Sequence, residues 1–327
     1  MVGCRHNAKN TLEKNYLWFA EKYGATILPL TQAERIEWNP GNPSYTIQVR
    51  SPFRKKITGE YQSRGIIISG GVLGTLELLF RQKFRYATLP GLSDHLGRHI
   101  LSNSESICGV IGADRKINHG VAISSIMQAD PDTQIELCKF PDGSGSLFRL
   151  AFLTAQGSGP PFVRSLKILA KIFLRPQDTL KWIIRGQDPR RGVVILVMQH
   201  IKNALAMRWT GRSLKLVSDG DEKPIPVFIP AGYDIMRRLA KKTKAVAVSA
   251  VTETFFNMST TAHFLGGCPM GSSGKEGVVD DAFRVHGYTG MHILDGSIIP
   301  VNIGVNPSLT ITALAEYAMD QIPVKSA

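Results

Sequence analysis

The sequence predicts an α/β chain, α+β overall: a doubly wound domain of the nucleotide-binding kind, with a domain of antiparallel β-sheet plus helices inserted into it. Three observations predict this. Gly65-Ile66-Ile67-Ile68-Ser69-Gly70-Gly71 is a continuously apolar, β-branched run that stops at glycines, as a parallel strand buried on both faces does. Short alternating stretches separated by Pro and Gly fill the middle of the chain. A strand, a turn and a capped helix close it.

Apolar residues Leu12, Tyr16, Phe19, Ala20 and Tyr23 fall at helical spacing and Gly24 ends the helix. Ala25 to Leu30 and Tyr45 to Arg50 read as strands, with Asn39-Pro40-Gly41-Asn42-Pro43 as a turn between them. Helical spacing resumes from Leu76 to Gln82. Ser69 to Thr75 is therefore a strand-to-helix turn, where backbone N–H groups can meet a pyrophosphate or ribose, or simply a tight turn needing positive φ. Ile107 to Ile111, Val121 to Ile126, Gln134 to Phe140 and Val193 to Gln199 read as antiparallel strands. Arg164 to Arg185 reads as a basic amphipathic helix pair broken at Pro176. It fits either a surface that touches anionic membrane or helices over the sheet with their lysines in water. Met291 to Leu294 is a strand, Asp295-Gly296-Ser297 a turn, and Asn306 is expected to cap a helix whose first residue is Pro307. The expected boundaries are 1–103 and 251–327 for the cofactor-binding domain and 104–250 for the substrate-binding domain.

With 327 residues and 43% hydrophobic content the chain can bury a substantial core. It carries no apolar run long enough for a transmembrane helix and no apolar segment behind Met1, so a cytoplasmic location is the expectation. Its four cysteines, Cys4, Cys108, Cys138 and Cys268, include no C-x-x-C pair; neither a metal site nor a disulfide framework is indicated. The net charge of +13 favours anionic partners. Nucleic acid is not expected, because the basic residues are not interleaved with aromatics on a recognisable module.

Thr261 to Gly271 place His263 just before a glycine-rich turn, Phe264-Leu265-Gly266-Gly267-Cys268. Asp295-Gly296-Ser297 and then Gly304-Val305-Asn306-Pro307-Ser308 follow. This order closely resembles the C-terminal signature of the glucose-methanol-choline (GMC) oxidoreductases, the cholesterol oxidase branch above all, where His-Pro-Leu-Gly-Gly-Cys leads to Asp-Gly-Ser and Gly-Val-Asn-Pro. Phe264 stands in place of the proline. Three more segments match in order along the chain. Glu136-Leu137-Cys138-Lys139-Phe140-Pro141-Asp142-Gly143 is similar to the substrate-site strand of that branch. Ser69-Gly70-Gly71-Val72-Leu73-Gly74-Thr75 is similar to the turn beside the flavin, and Gly3-Cys4 with Ala8 to Leu12 and Lys14-Asn15-Tyr16 to the segment before the first helix.

The resemblance implies FAD-dependent oxidation of a secondary alcohol, most of all a 3β-hydroxysteroid, with another lipophilic or terpenoid alcohol as the alternative. It implies His263, Asn306 and Glu136 as catalytic residues, and Gly70, Gly71, Gly74, Thr75, Asp295, Gly296, Asn306 and Pro307 as neighbours of FAD. An imidazole suits the hydroxyl proton, because its affinity for a proton is poised near neutral pH. A carboxylate in an apolar pocket suits proton transfer beside the new ketone. The 327 residues contain no Gly-x-Gly-x-x-Gly turn on a helix start, the unit that supplies most pyrophosphate donors in such folds. The expectation is therefore a nucleotide-binding domain incomplete at its N-terminus, holding FAD weakly when this chain is alone, or a non-catalytic remnant resting on a membrane surface.

Overall fold

The computed structural model describes residues 4, 6–54, 56–154, 159–220 and 225–323. Gly3 of the N-terminal motif lies outside the described residues.

Helix α1 (Tyr16–Lys22) precedes an antiparallel sheet of β1 (Gln32–Asn39), β2 (Ser44–Arg50) and β3 (Ile57–Ser63). The strand expected at Ala25 to Leu30 lies later, in β1. Its charged sequence hides it, yet Glu34 is half-buried and bonded to Arg50 (2.6 Å) and Arg81 (3.1 Å), so the polar residues of β1 find partners inside the fold. Helix α1 ends where Gly24 takes positive φ, but Tyr16, Phe19 and Tyr23 are exposed.

Strand β4 (Ile66–Ile68) leads through Ser69-Gly70 into helix α2 (Gly71–Phe80). Among the described residues β4 pairs with one neighbour, the parallel strand β13 (Met291–Ile293), in the register Ile66↔Met291. The run expected to be buried on both faces is thus half-open: Ile68 is buried and Ile67 is 45% exposed. A single core joins this strand pair to α2, the glycine turn and α7 (Ser308–Gln321), with Leu76, Leu79, Cys268, Met291 and Ile293 fully buried.

The middle of the chain forms a six-stranded sheet in the order β6-β7-β9-β5-β12-β8, antiparallel at every step. Its strands are β5 (Ser106–Ile111), β6 (Ile123–Asp130), β7 (Thr133–Cys138), β8 (Ala151–Leu153), β9 (Val193–Gln199) and β12 (Val246–Ala250). The expected helix pair appears between β8 and β9 as α3 (Pro161–Leu174) and α4 (Pro176–Arg185), each opened by a proline. A hairpin, β10 (Leu205–Trp209) with β11 (Leu214–Ser218), follows. Helix α5 (Pro230–Thr243) covers one face of the sheet, where Cys108, Val110, Ile135, Ile195 and Val197 meet Tyr233, Met236 and Ala240. Gly232 permits the close approach: a Cβ there would stand 2.3 Å from Val197 Cγ2. Short helix α6 (Val251–Phe256) then leads towards the His263 segment.

Candidate active site

The candidate residues gather on the sheet face opposite α5. Across β7, β9 and β5, Glu136 stands beside Leu196 and Leu196 beside Ile107, and residues paired in this way point to one side. Cys138, Leu196 and Met198 are buried on this face, with Ile107 and Val194 packed against them. Two glutamates enter this apolar surface. Glu136 is 1% exposed, and Glu105, one residue before β5, is 0% exposed. Both raise the affinity of the nearby Cys138 thiol for its proton, which burial pushes up first, to about 11.

Each glutamate is tied to a residue from the C-terminal part of the chain. Asn306 Nδ2 donates to both carboxylate oxygens of Glu136, at 2.8 and 3.0 Å, and Gln134 Nε2 donates at 3.3 Å. Glu105 Oε1 pairs with His263 Nδ1, and Oε2 accepts from the Ala262 N–H at 2.7 Å. Ser259 Oγ donates to the Glu105 carbonyl at 2.7 Å, so three bonds hold the 259–263 segment against one residue. A carboxylate can only accept, which puts the imidazole proton on Nδ1 and leaves Nε2 as the acceptor. Among the described residues no group bonds to that Nε2.

Asn306 does not cap α7. The helix starts at Ser308, with Pro307, whose ring has no hydrogen-bonding group, as the N-cap, and the Asn306 side chain is turned to Glu136 instead.

The loop carrying Asn306 is fixed by a buried polar network. Ser102, Asn103, Ser104, Glu105 and Ser106 are all buried, an uncommon fate for five consecutive polar residues. Asn103 Nδ2 donates to the Val305 carbonyl (2.8 Å) and its Oδ1 accepts from the Gly304 N–H (2.7 Å). Asn302 accepts from the Asn103 N–H (2.8 Å) and donates to Asn203 Oδ1 (2.8 Å), which also accepts from the Ser104 hydroxyl (3.0 Å). Asn103 and Ser104 take positive φ, +56° and +47°. Two side-chain-bearing residues held left-handed in succession are costly, and the surrounding bonds enforce them. Sequence reading missed Glu105 and this segment, since Ser-Asn-Ser-Glu-Ser reads as a surface turn.

Several of the residues expected beside a cofactor are bonded to one another. The Thr75 hydroxyl bonds to Asp295 and accepts from the Gly70 N–H at 3.0 Å. Asp295 Oδ1 accepts from the Ser297 N–H at 2.8 Å, and Ser69 Oγ donates to the Leu294 carbonyl at 2.9 Å. Gly296 packs against Phe264 and against Ile311 of α7, which brings the α2 and α7 starts and the His263 turn into one neighbourhood. Gly71, at φ +68°, and Gly74 both face open space where a Cβ would stand, and neither α2 nor α7 has a side chain capping its first turn. Two uncapped helix starts around a glycine-lined opening fit an anionic or flavin-bearing group. Among the described residues no group of three or more His, Cys, Asp or Glu is placed to hold a metal ion, and no helix is long and apolar enough to cross a membrane.

Comparison with known proteins agrees with this geometry. Residues 206–315 match the GMC oxidoreductase C-terminal domain. The chain is 38% identical to a cholesterol oxidase of Acinetobacter baumannii and 36% identical to one of Mycobacterium tuberculosis, in each case over 99% of its own length. It spans 60% and 58% of those relatives. Among solved structures it is similar in fold to a formate oxidase of Aspergillus oryzae, with a TM-score of 0.61 at 14% identity over 93% of this chain and 62% of that one. An FAD-dependent oxidoreductase of Chaetomium thermophilum gives a TM-score of 0.56 at 14% identity, over 94% and 63%. Motifs, fold and relatives agree in likening this chain to the GMC oxidoreductases, and residues 206–315 match that family's C-terminal domain.

Proposed function

We propose that this chain carries the substrate site of an FAD-dependent enzyme that oxidises a secondary alcohol on a lipophilic molecule, a 3β-hydroxysteroid above all, to the ketone. The observation that carries the reading is the pairing of Glu136 with Asn306 on an apolar sheet face, beside a histidine held by Glu105. Residues 104–250 serve as the substrate side, and 1–103 with 251–327 as the cofactor side. Gly70, Gly71, Gly74, Thr75, Asp295, Gly296, Asn306 and Pro307 would hold the flavin. When bound, FAD supplies the electron sink for the carbinol hydride.

The protein's own residues do the rest. His263 accepts the substrate hydroxyl proton at Nε2, because Nδ1–H is committed to Glu105. Glu105 stabilises the imidazolium that results. The apolar floor of Leu196, Met198 and Cys138 excludes water and receives the hydrocarbon body. Asn306 orients Glu136. The Glu136 carboxylate then takes a proton from the carbon beside the new ketone and returns it at the far end of the allylic system, moving a 5-ene to a 4-ene. A substrate this apolar resides in lipid, so the reading includes contact with a membrane surface.

Turnover of a 3β-hydroxysteroid tests the reading, with Glu136 intact and with Glu136→Gln. Retained oxidation with lost isomerisation supports it; loss of both, or of neither, removes the role given to Glu136. Mixing the chain with FAD and reading flavin absorbance after desalting tests the cofactor side. The expected result is substoichiometric flavin, and a stoichiometric yellow protein overturns the expectation of weak binding.

A further inference from the structure

We propose that the cleft between α3 and the end of α5 binds a short, soluble polyphosphate chain, free or as the tail of a small molecule. Lys167, Lys171 and Arg175 follow one another at i, i+4 and i+8 along α3, and with Arg237, Lys241 and Lys244 at the α5 end they line a cleft of about 930 Å³. Helical spacing puts the three α3 cations on the side of Arg164 and Ile168, which are buried, and opposite Phe162, Leu166, Leu169 and Phe173, which are exposed. The cations of an amphipathic helix ordinarily turn to water. Here they turn inward, towards Thr154 at the end of β8 and Ala247 of β12.

A cation on the inward side of a helix needs partners. Arg164 has a full set: its Nε donates to the Gly159 carbonyl at 2.8 Å, its Nη1 to the Glu253 carbonyl at 2.6 Å, and its other nitrogen bonds Asn257. Lys171 has no comparable set. It is half-buried and bonds the Thr154 carbonyl at a long 3.5 Å. Burial lowers its affinity for its proton, with Asp178 opposing that effect and Arg175 adding to it. Nearby carboxylates are engaged elsewhere. Asp234 pairs with Arg238 at 2.7 Å and with Arg237 at 3.4 Å, and Asp114 with Lys181 and Arg185. Asp178 is the one carboxylate among the lining residues, and residues 155–158, Ala-Gln-Gly-Ser, add none. Six cations thus converge on a space that holds one anion, and an anionic occupant relieves a repulsion the protein itself leaves standing.

The lining decides the class of occupant. The cations stand on two helices, so one phosphate cannot meet both rows and a chain of them can. Arginine offers paired N–H donors to phosphate oxygens, and lysine a point charge. Asp178 and Asp234 offset two of the cations, which leaves a charge that a triphosphate chain can balance. Ala240, Ala245 and Ala247 leave the cleft roomy, and among the described residues no aromatic side chain lines it to stack a base. Recognition therefore rests on the phosphates. A flat bilayer would meet the apolar side of α3, away from these cations. None of the lining residues belongs to the Glu136–Asn306 or Glu105–His263 pairs or to the residues given to the flavin, so the inference is independent of the alcohol-oxidation reading.

Isothermal titration calorimetry of the full chain with sodium triphosphate tests it. One site per chain is expected, weakening as salt rises, with inorganic orthophosphate bound at least about tenfold more weakly. Lys171→Gln, and Arg175→Glu with Lys241→Glu, are each expected to lose about tenfold or more in affinity. Lys241→Gln alone, at an exposed position, should lose about threefold or more and covers the case in which the double variant does not fold. Arg212→Glu with Lys215→Glu makes the same change in net charge on the β10–β11 hairpin and should leave affinity within about twofold. ATP bound within about tenfold of triphosphate supports recognition through the phosphate chain, and the tighter of the two tells whether the chain is free or a tail. ATP bound more than tenfold tighter overturns it, because a surface for the base would then be needed. No binding of triphosphate, equal binding of orthophosphate, unaltered binding by the cleft variants or an equal loss in the hairpin variant overturns the proposal. An oligoglutamate peptide bound more tightly than triphosphate assigns the cleft to an acidic protein segment and overturns it as well.

Discussion

Glu105 accepts the Nδ1–H of His263, and this single contact joins the start of β5 to a histidine 158 residues later. It sets the imidazole tautomer, and the Glu105→Gln variant tests whether that matters. The amide can still fill the space but can also donate, so it no longer selects one tautomer. In the flavin-loaded enzyme kcat is expected to fall by about 10- to 100-fold with KM little changed. The ¹⁵N shifts of His263 give a readout that a merely structural role would not move: Nδ1–H alone in the wild type, a mixture in the variant. An unchanged tautomer would remove the positioning role.

The bonds from Asn306 to Glu136 link α7 to the six-stranded sheet across 170 residues. Asn306→Leu leaves a buried carboxyl group with Gln134 as its remaining partner, and is expected to cost about 1–3 kcal/mol in denaturant unfolding. Replacing both partners, Asn306→Leu with Glu136→Leu, should recover part of that loss, since no buried polar group is then left unmatched. Equal losses in the single and double variants would show that the bond contributes nothing.

Much of this architecture was legible because a local pattern dictated it. The Ile66-Ile67-Ile68 run, the Gly71 turn and the Met291 strand each announce themselves by residue type, whereas the pairing of β4 with β13 is seen only in the structure. The prolines at 161 and 176 open α3 and α4 for the same reason. What escaped reading depends on partners far along the chain. Asn306 has a capping residue's chemistry, but a carboxylate from β7 takes its amide instead. Glu105 sits in a polar pentapeptide whose burial is made possible by bonds from distant residues, Asn203, Asn302, Val305, Glu253 and His263 among them. Strand β1 is masked by charges that pair with Arg50 and Arg81. Nor does any periodicity reveal which side of α3 meets the body of the protein; that is fixed by Arg164 reaching α6.

Glu253, buried and accepting bonds from the Ser106 hydroxyl (2.9 Å) and the Ile107 N–H (2.7 Å), gives the fold a pH dependence. Burial raises its affinity for a proton to about 8 from an ordinary 4.5, with the two bonds and Arg164 opposing the rise. The native protein then holds a proton that the unfolded chain has lost, so the stability from this group is complete below about pH 4.5 and disappears as pH rises through about 8. Glu253→Gln keeps the shape and one acceptor without a titrating group. Melting temperature measured across that range should fall less with pH in the variant than in the wild type; parallel curves would show that Glu253 does not titrate there.

The glycine turn after His263 is set by steric necessity. Gly266 has φ +73°, and a Cβ there would lie 1.8 Å from the His99 carbonyl oxygen, which cannot move aside as a side-chain tip could. Gly266→Ala is expected to cost about 3 kcal/mol or more, from left-handed strain and overpacking together. Urea unfolding measures it, and a loss below 1 kcal/mol (on the order of surface substitutions) would contradict the packing.

Gly74 contrasts with Gly266, because it lies inside α2, without positive φ, and a Cβ there meets nothing within 4 Å. Alanine is the better helix former at such a position, so Gly74→Ala should stabilise the chain by about 0.5–1 kcal/mol in the absence of flavin. The same open space is where the proposed cofactor would approach the helix start, and there a methyl group intrudes. The variant should therefore unfold at higher denaturant yet retain less flavin after desalting than the wild type in a chain that binds it. The two effects have opposite signs and separate helix propensity from ligand contact: a variant that is stabilised and binds flavin undiminished removes Gly74 from the cofactor surface and leaves it an ordinary helical glycine.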